Sequence, residues 1–485
     1  MPSIKNNFFH NLLFLLSNIL FPLVTFSYVS RILGPEGFGK IQFVVVFTQY
    51  FVMMAAVGIP IYGIREIAKV RHDKLLLSKL FSELIFINIL TTIFVLGFYF
   101  FIIFTFNWFH NDLNFYILGG LLVFACFSTL DWFYNGVEQF RFISIRAITI
   151  KIIALIALFV FVRTKNDLIF YFLIIIFSTL GNNIWNLIRI RKFIRIQFKQ
   201  LNLRQHVPVL LTLFGTTVSI SIYTLIDTLL LGFLADETSV GFYSAAVKIN
   251  KMTIPLVIAL GTVLIPRITQ SIENKDYSLL QSLIDKSFSF IVLLGIPISF
   301  GLFVFAPEFI LSLSGSEFSE AILTMQITAP LVILIGLGHL FGFQLLIPAG
   351  LEKKYLYATL AGMTISVILN LLLISSFKDK GTAIATVAGE ILVTFISFYY
   401  VNKKMKLTIQ WSLVLKSMIA SLIFLPIAYL LRAYPMDVVL RLLLAIVFSA
   451  FFYFIIQIYI FKEKQLKEVY YSVIKYVFRT QKEVK

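Results

Sequence analysis

Residues 207–266 read VPVLLTLFGTTVSISIYTLIDTLLLGFLADETSVGFYSAAVKINKMTIPLVIALGTVLIP and contain two apolar runs, at 207–232 and 241–266. Each run is long enough to cross the hydrocarbon core of a bilayer as a helix. Each also carries charge, because Asp227 lies in the first run and two lysines lie in the second. An ionisable side chain inside a membrane helix costs about 2.5–3.5 kcal/mol on insertion scales, so such residues face a bundle interior or a hydrated cavity.

The two lysines of the second run are Lys248 and Lys251. Their spacing of three residues places both ammonium groups on one face of a helix. A cationic face inside a membrane bundle predicts a site that binds an anion. The alternative interpretation is structural, with the lysines neutralising buried carboxylates such as Asp227.

The composition predicts a polytopic membrane protein. Of the 485 residues, 59% are hydrophobic, whereas about 45–50% is usual in soluble domains. The single cysteine, Cys126, excludes an intrachain disulfide and a thiolate metal cluster. The five histidines offer no pair at the spacing of metal ligands on a helix, and no motif supplies a nucleophile or a phosphate loop. We therefore predict no catalytic residue, no metal site, no cofactor and no enzyme activity.

The apolar runs predict fourteen transmembrane helices, in an all-α protein. Each run is near or above the 17–25 residues that a spanning helix needs. Their predicted limits are 8–30, 41–64, 80–106, 114–137, 145–162, 168–188, 207–232, 241–266, 287–306, 321–348, 355–376, 381–401, 412–431 and 438–461.

Positive residues alternate between the connecting segments and predict the orientation. With the N-terminus in the cytoplasm, and with Arg146, Lys151 and Arg441 counted with the connections that precede their spans, inner segments carry 30 Lys and Arg residues and outer segments carry 8. Lys248, Lys251 and Lys416 are counted within spans. Positive residues concentrate on the cytoplasmic side of membrane proteins. Both termini are therefore predicted to be cytoplasmic.

The basic connection RIRKFIRIQFKQLNLRQH predicts a division of the chain near residue 200. On this interpretation 1–200 and 201–406 each form a bundle of six helices, and 407–461 adds two further helices. Short similarities support a repeat, since SRILGPEGFG in the first half corresponds to LADETSVGF in the second. Six spans is an even number, so the repeats are parallel and the substrate site is expected between them.

The last segment, 462–485, is basic and predicts an amphipathic helix on the anionic inner leaflet. Its apolar residues fall on one face at helical spacing. These residues are Leu466, Val469, Tyr470, Val473, Ile474, Val477 and Phe478. The alternative is a solvated basic tail without membrane contact.

Polar residues at helical spacing in several spans predict a large hydrated cavity. Asn18 lies in the first span, Gln49 in the second, Asp131 in the fourth, and Tyr223 with Asp227 in the seventh. Any one such stripe can instead be hydrogen-bonding contact between helices. We group these five residues as candidates for lining the cavity and for coupling.

Arg31 joins Lys248 and Lys251 as a candidate cation for binding the substrate. Arg31 and Asp227 lie near the outer ends of the leading spans of the two halves. We expect such charges to close the outer mouth when the cavity opens inward.

Three segments carry a resemblance to a known family: NNFFHNLLFLLSNILFPLVTFSYVSRILGPEGFGKIQF (6–43), DWFYNGVEQFRF (131–142) and IDTLLLGFLADETSVGFYSAAVKIN (226–250). The chain resembles the polysaccharide transporter family, and within it the Wzx-type flippases of O-antigen or capsular repeat units. This family belongs to the superfamily that includes MATE drug exporters and lipid II flippases.

The resemblance implies two six-helix bundles around a central cavity, two further helices, and a multi-pass location in the bacterial inner membrane. It also implies outward movement of an undecaprenyl-pyrophosphate-linked oligosaccharide, with no role for nucleic acid. The coupling ion, whether a proton or sodium, stays open, as do partners such as a polysaccharide polymerase and a chain-length regulator. Lys248 and Lys251 stand where the lipid II flippases are expected to carry an arginine, and lysine binds phosphate as a point charge rather than as a bidentate fork.

Two rival functions fit the same class of membrane protein. A MATE-like exporter of drugs or cations would favour carboxylate-lined sites, which the two lysines disfavour. A membrane glycan polymerase would need a sizeable catalytic outer loop, and the predicted outer loops are short.

Overall fold

The computed structural model describes residues 4–197 and 201–463, with side chains described outside 4–19 and 216–224. Within these ranges the chain is helical, with turns and no strand. Eleven helices there are long and apolar enough to cross a membrane. The prediction of an all-α, multi-pass membrane protein is therefore confirmed. The tail prediction for 462–485 lies outside the described residues from 464 onward.

Seventeen α-helices make up the described chain. They are α1 Ile4–Ala56, α2 Ile59–Val70, α3 Lys74–Thr105, α4 Leu113–Phe124, α5 Asp131–Gly136, α6 Phe140–Phe161, α7 Leu168–Ile190, α8 Val207–Leu234, α9 Glu237–Glu273, α10 Tyr277–Val304, α11 Ala306–Leu313, α12 Ala321–Thr328, α13 Leu331–His339, α14 Glu352–Met405, α15 Trp411–Ser421, α16 Phe424–Ala433 and α17 Val438–Ile455. Short 3₁₀ turns and two π-helical turns, Leu340–Leu346 and Ile456–Ile460, join some of them.

The two longest helices each contain a break. Helix α1 is interrupted at Gly34, whose φ is 69°, and α14 is interrupted at Lys378, whose φ is 47°. Positive φ costs glycine little, and Pro35 restricts the preceding residue further. Both breaks fall in segments that the sequence assigned to outer turns between two spans.

The predicted span 114–137 is not one helix. Helix α4 ends at Phe124, a 3₁₀ turn follows at Ala125–Ser128, and α5 begins at Asp131. The break leaves the Ala125 carbonyl outside the α-helical pattern, and Asn183 Nδ2 donates a hydrogen bond to it at 2.8 Å. Broken helices at membrane depth persist only where neighbouring groups bond the exposed backbone in this way.

The chain divides into two compact units, Met1–Ser244 and Ala245–Lys485. In unit 1, one core cluster joins α2, α3 and α5 through aromatic residues that include Phe81, Trp132 and Phe133. In unit 2, a cluster around Phe424 and Tyr453 attaches α15–α17 to α10 and α11. Unit 1 contains α8 and the first turns of α9, which lie beyond the predicted division at residue 200. The divisions at 200, 406 and 461 stay predictions.

Candidate functional site

The two predicted substrate lysines lie in the part of α9 that belongs to unit 2. Lys248 is half-buried and Lys251 is exposed, and the helix is continuous between them, so they lie one turn apart on one face. Asn250 is fully buried, and its Nδ2 donates to Thr328 Oγ1 at 2.8 Å. That hydrogen bond holds α9 against α12 and fixes the rotation of α9 about its axis. The role of the lysines in binding an anion stays a prediction.

The other candidates divide between buried and exposed positions of unit 1. Asp227 is buried in α8 and accepts a hydrogen bond from Tyr243 Oη at 3.3 Å. Gln49 and Arg31 are exposed on α1. The side chains of Asn18 and Tyr223 lie outside those described.

Asp131 takes part in a network around a buried arginine. Its Oδ1 lies 2.8 Å from a terminal guanidinium nitrogen of Arg146, whose side chain is 2% exposed. Asn182 Oδ1 accepts from Arg146 Nε at 2.9 Å, and Asn186 also contacts both Arg146 and Asp131. Of these residues the sequence predicted a role for Asp131 alone, and Arg146 was counted with an inner connection. The network shows a structural partner for Asp131, and its predicted role in coupling stays untested.

One end of unit 1, which we call the Lys40 end, gathers α1 beyond its break, the 3₁₀ turn Asn107–Asp112 and the start of α9. Lys40 Nζ lies 2.8 Å from Asp112 Oδ1 and 3.4 Å from Glu237 Oε2. The three side chains are 20%, 27% and 36% exposed. This ion-pair triad joins three segments that lie between predicted spans, and none of its three residues was a candidate from sequence.

Two glycines bring the backbones together beside the triad. A Cβ placed on Gly39 would lie 1.8 Å from the carbonyl oxygen of Glu237, and one placed on Gly241 would lie 2.0 Å from that of Pro35. No other residue fits either position without moving the neighbouring chain. The contact is reciprocal, since each segment supplies one glycine and one carbonyl. The two segments are those in which the sequence showed the SRILGPEGFG and LADETSVGF similarity.

An aromatic cluster lies next to the glycine contact. The ring of Phe233, in the last turn of α8, lies 5.2 Å from that of Phe43 and 4.8 Å from that of Trp108, between centroids. Gly232 approaches so closely that a Cβ there would lie 2.0 Å from the Phe43 ring. Aromatic rings at such separations pack favourably beyond their burial. The Lys40 end is therefore closed by charges, backbone contact and aromatic packing.

The opposite end of unit 1, which we call the His206 end, is held by a buried carboxylate. Glu83 Oε2 lies 2.9 Å from His206 Nε2, and the two side chains are 2% and 4% exposed. Tyr62 Oη lies 2.8 Å from His206 Nδ1, and the backbone nitrogen of Asn202 donates to Glu83 Oε1 at 2.8 Å. Gln205 Nε2 donates to the same carboxylate at 3.2 Å. The start of α8 is thus fixed to α2 and α3.

The basic connection before α8 is also bound to α3 through its backbone. The nitrogens of Arg195 and Gln197 donate to the hydroxyls of Ser78 and Ser82, at 3.2 and 2.9 Å. Alternate residues therefore contact one side of α3, as in an extended chain. Sequence pattern alone gave no signal for this contact, because the partners are single serines at the start of an apolar helix.

A metal-binding group of three or more His, Cys, Asp or Glu side chains is absent from the described residues. The polar sites of this part of the chain are ion pairs and hydrogen-bonded networks. What they can do chemically is hold charge within apolar surroundings and exchange one partner for another.

Comparison with family models assigns the chain to a protein family. The polysaccharide biosynthesis protein model matches residues 4–272, and the MatE model matches residues 213–372. Because the first match covers more than half of the sequence, the chain belongs to the polysaccharide biosynthesis protein family. The family resemblance inferred from the three quoted segments is confirmed.

Individual relatives cover most of the length. The "Putative O-antigen transporter" of Escherichia coli (strain K12) is 26% identical over 402 residues, which are 80% of this chain and 94% of that protein. Among solved structures, the lipid II flippase MurJ in an inward closed conformation aligns with a TM-score of 0.72 at 15% identity, over 93% of this chain and 99% of that one. An inward-facing multidrug resistance MATE transporter aligns with a TM-score of 0.61 at 14% identity, over 80% and 94%. At these identities the structures show the shared fold alone.

Proposed function

We propose that this protein is a flippase that moves an undecaprenyl-pyrophosphate-linked oligosaccharide, an O-antigen or capsular repeat unit, from the cytoplasmic to the periplasmic leaflet of the bacterial inner membrane. The observation that carries the proposal is the family match over residues 4–272, which includes both predicted substrate lysines. A relative named as an O-antigen transporter, aligned over 94% of its length, supports the same cargo.

We also propose fourteen spans, with both termini in the cytoplasm. The eleven candidate spans include Leu20–Val70 and Glu352–Met405, of 51 and 54 residues. They contain the breaks at Gly34 and Lys378, and each can cross twice. Helix α8, with 28 residues, is long enough for one more crossing. The excess of Lys and Arg in alternate connections supports the orientation.

The proposed transport is alternating access between the halves 1–200 and 201–406. The polyprenyl tail stays in lipid while the pyrophosphate and glycan need shielding from hydrocarbon. We assign the pyrophosphate to Lys248 and Lys251 with Arg31, and cavity lining or coupling to Asn18, Gln49, Asp131, Tyr223 and Asp227. An inside-negative potential favours outward movement of each negative charge by about 2.3 kcal/mol per 100 mV.

The test is complementation of a polysaccharide-producing strain that lacks its own flippase. Wild type is compared with the Lys248→Ala/Lys251→Ala variant at matched expression, and surface glycan is measured beside lipid-linked units retained inside. We expect wild type to restore surface glycan and the double variant to retain lipid-linked units. The matched control, Lys403→Ala/Lys404→Ala, removes two exposed lysines from the end of α14 and should behave as wild type.

The possible outcomes test the flippase function and the lysine anion site separately. Equal restoration by wild type and the Lys248→Ala/Lys251→Ala variant would keep the flippase and reject the lysines as its anion site. Failure of wild type in strains with several different repeat units would reject the flippase.

A MATE-like exporter of drugs or cations is the second candidate, because the MatE model matches residues 213–372. Expression of wild type in a drug-sensitive strain tests it. Increased resistance to cationic drugs, together with failed complementation, would favour export over flipping.

A further inference from the structure

We propose that Lys40, Asp112 and Glu237 are positioning residues that close the outer side of the transporter, and that Gly39 and Gly241 allow this closure. The inference rests on the proposed alternating access, because it assigns the contact that must break when the outer side opens. It adds Lys40, Asp112 and Glu237 to the expectation that Arg31 and Asp227 close the outer mouth.

The first argument is which segments the triad joins. Lys40 and Asp112 belong to the predicted first half, and Glu237 belongs to the second. Alternating access requires the two halves to separate at one side of the membrane while they stay together at the other. A charge contact between them at the predicted outer side is therefore a contact that the cycle makes and breaks.

The second argument is that the side chains of these ion pairs are only partly buried. Lys40, Asp112 and Glu237 are 20–36% exposed, so water can replace each partner as the segments part. A fully buried pair would leave charges without partners in apolar surroundings on opening. Partial exposure therefore suits a contact that forms reversibly.

The third argument is the reciprocal glycine contact. Because the carbonyls of Glu237 and Pro35 occupy the places of the missing side chains, the closed arrangement exists only with glycine at 39 and 241. An arrangement in which the segments are apart has no such requirement. Alanine at either position should therefore remove the closed state and spare the open one.

The aromatic cluster adds an apolar layer to the charged contact. Phe233 contacts Phe43 and Trp108 beside the charged contact. Phe43 and Trp108 lie on the same segments as Lys40 and Asp112, and Phe233 lies in the last turn of α8, just before Glu237. The rings therefore separate when the triad does. Charges and backbone contact hold the segments in register, and the rings exclude water behind them.

The experiment measures the separation of the two segments in the full chain. Spin labels are attached at Asn111→Cys, next to Asp112, and Thr238→Cys, next to Glu237, after the only native cysteine is removed as Cys126→Ser. Distances between the labels are recorded by pulsed electron paramagnetic resonance in lipid nanodiscs. We expect wild type to show a major short population and a minor long one.

Variants then test the proposed closure through the ratio of the short-distance to the long-distance population. Gly39→Ala and Gly241→Ala should lose the short population and keep the long one at its wild-type distance. Lys40→Gln and Glu237→Gln should shift the ratio towards the long population, and Lys40→Arg should restore it. The controls are Gly97→Ala, where a Cβ meets no atom within 4 Å, and Glu36→Gln, an exposed carboxylate in the same turn.

A static contact predicts a different result. A single short distance in wild type that every variant merely broadens, or leaves unchanged, would overturn the proposal. If a glycine variant does not fold, Lys40→Gln decides, since its side chain is partly exposed. The distance measurement uses no glycan. If complementation failed while the short and long populations behaved as expected, the proposed cargo would be rejected and the proposed closure would be kept.

Discussion

The His206 end of unit 1 holds the start of α8, and the Lys40 end holds the end of α8 and the start of α9. The two contacts differ in how far their charges are buried. At the Lys40 end the charges are 20–36% exposed and two glycines let backbone meet backbone. At the His206 end the paired side chains are 2–4% exposed, and the carboxylate accepts bonds from a backbone nitrogen and two side chains. One end can be hydrated in place, and the other cannot.

The energies of these contacts differ accordingly. Exposed ion pairs contribute about 0–1 kcal/mol because water competes for each partner. Removing one partner of a buried pair costs about 3–5 kcal/mol, since the remaining charge has no water to replace it. We therefore interpret the His206 end as a permanent attachment and the Lys40 end as the contact that opens. Rocking of α8 about its fixed start would then separate its far end from α1.

The largest expected effect is at the His206 end. Glu83→Ala leaves His206 and the Asn202 nitrogen without their acceptor, so we expect a loss of about 3–5 kcal/mol in the free energy of unfolding. Thermal unfolding in detergent, followed by intrinsic fluorescence, measures it. Glu66→Ala is the control, because Glu66 also pairs with basic residues, but its partners Arg65 and Lys69 are 56% and 60% exposed. Equal losses in the two variants would contradict a distinct buried attachment.

A smaller effect is expected where the buried charge has an exposed partner. Asp131→Ala removes the counter-charge of Arg146, but Asp131 itself is 46% exposed, so we expect a loss of about 1–3 kcal/mol. The double variant Asp131→Ala/Arg146→Met should recover part of it, and the four unfolding energies give the coupling of the pair. Additive losses would show that the two residues act independently.

The same pair separates a structural role from a transport role. Asp131→Asn keeps the shape and one acceptor oxygen for Arg146. Lost transport with unchanged thermal unfolding would place Asp131 in the coupling step, as the sequence predicted. Unchanged transport would leave it as the partner of Arg146 alone.

The sequence predicted the all-α membrane class because each apolar run is recognised from its own residues, without knowledge of its neighbours in the fold. It also located the turn near Lys165–Asp167, where a short polar segment separates two apolar runs. It did not predict the break after Phe124, because the residues there remain apolar while a distant group, Asn183, satisfies the exposed carbonyl.

The candidate site was predictable only in part, for a related reason. Charges within spans are visible from sequence, which is how Asp131, Asp227, Lys248 and Lys251 were found. Pairing is not visible, because Lys40 and Glu237 lie far apart in the chain and each alone resembles an ordinary loop charge. The signal that was present is the similarity of the two glycine-containing turns, which indicated a repeat but not that its copies touch.

The smallest expected effect is the most informative for the comparison. Lys40→Gln should change the free energy of unfolding by less than about 1 kcal/mol, because its pairs are partly exposed. At 1 M salt the Debye length falls to about 3 Å, so even that difference should disappear. Thermal unfolding of wild type, Lys40→Gln and Lys40→Arg at low and high salt measures it. A loss as large as that of Glu83→Ala would mean that both ends are permanent attachments. A small, salt-sensitive loss beside a large shift in the spin-label populations would mean that Lys40 sets the conformational equilibrium while contributing little to the stability of the fold.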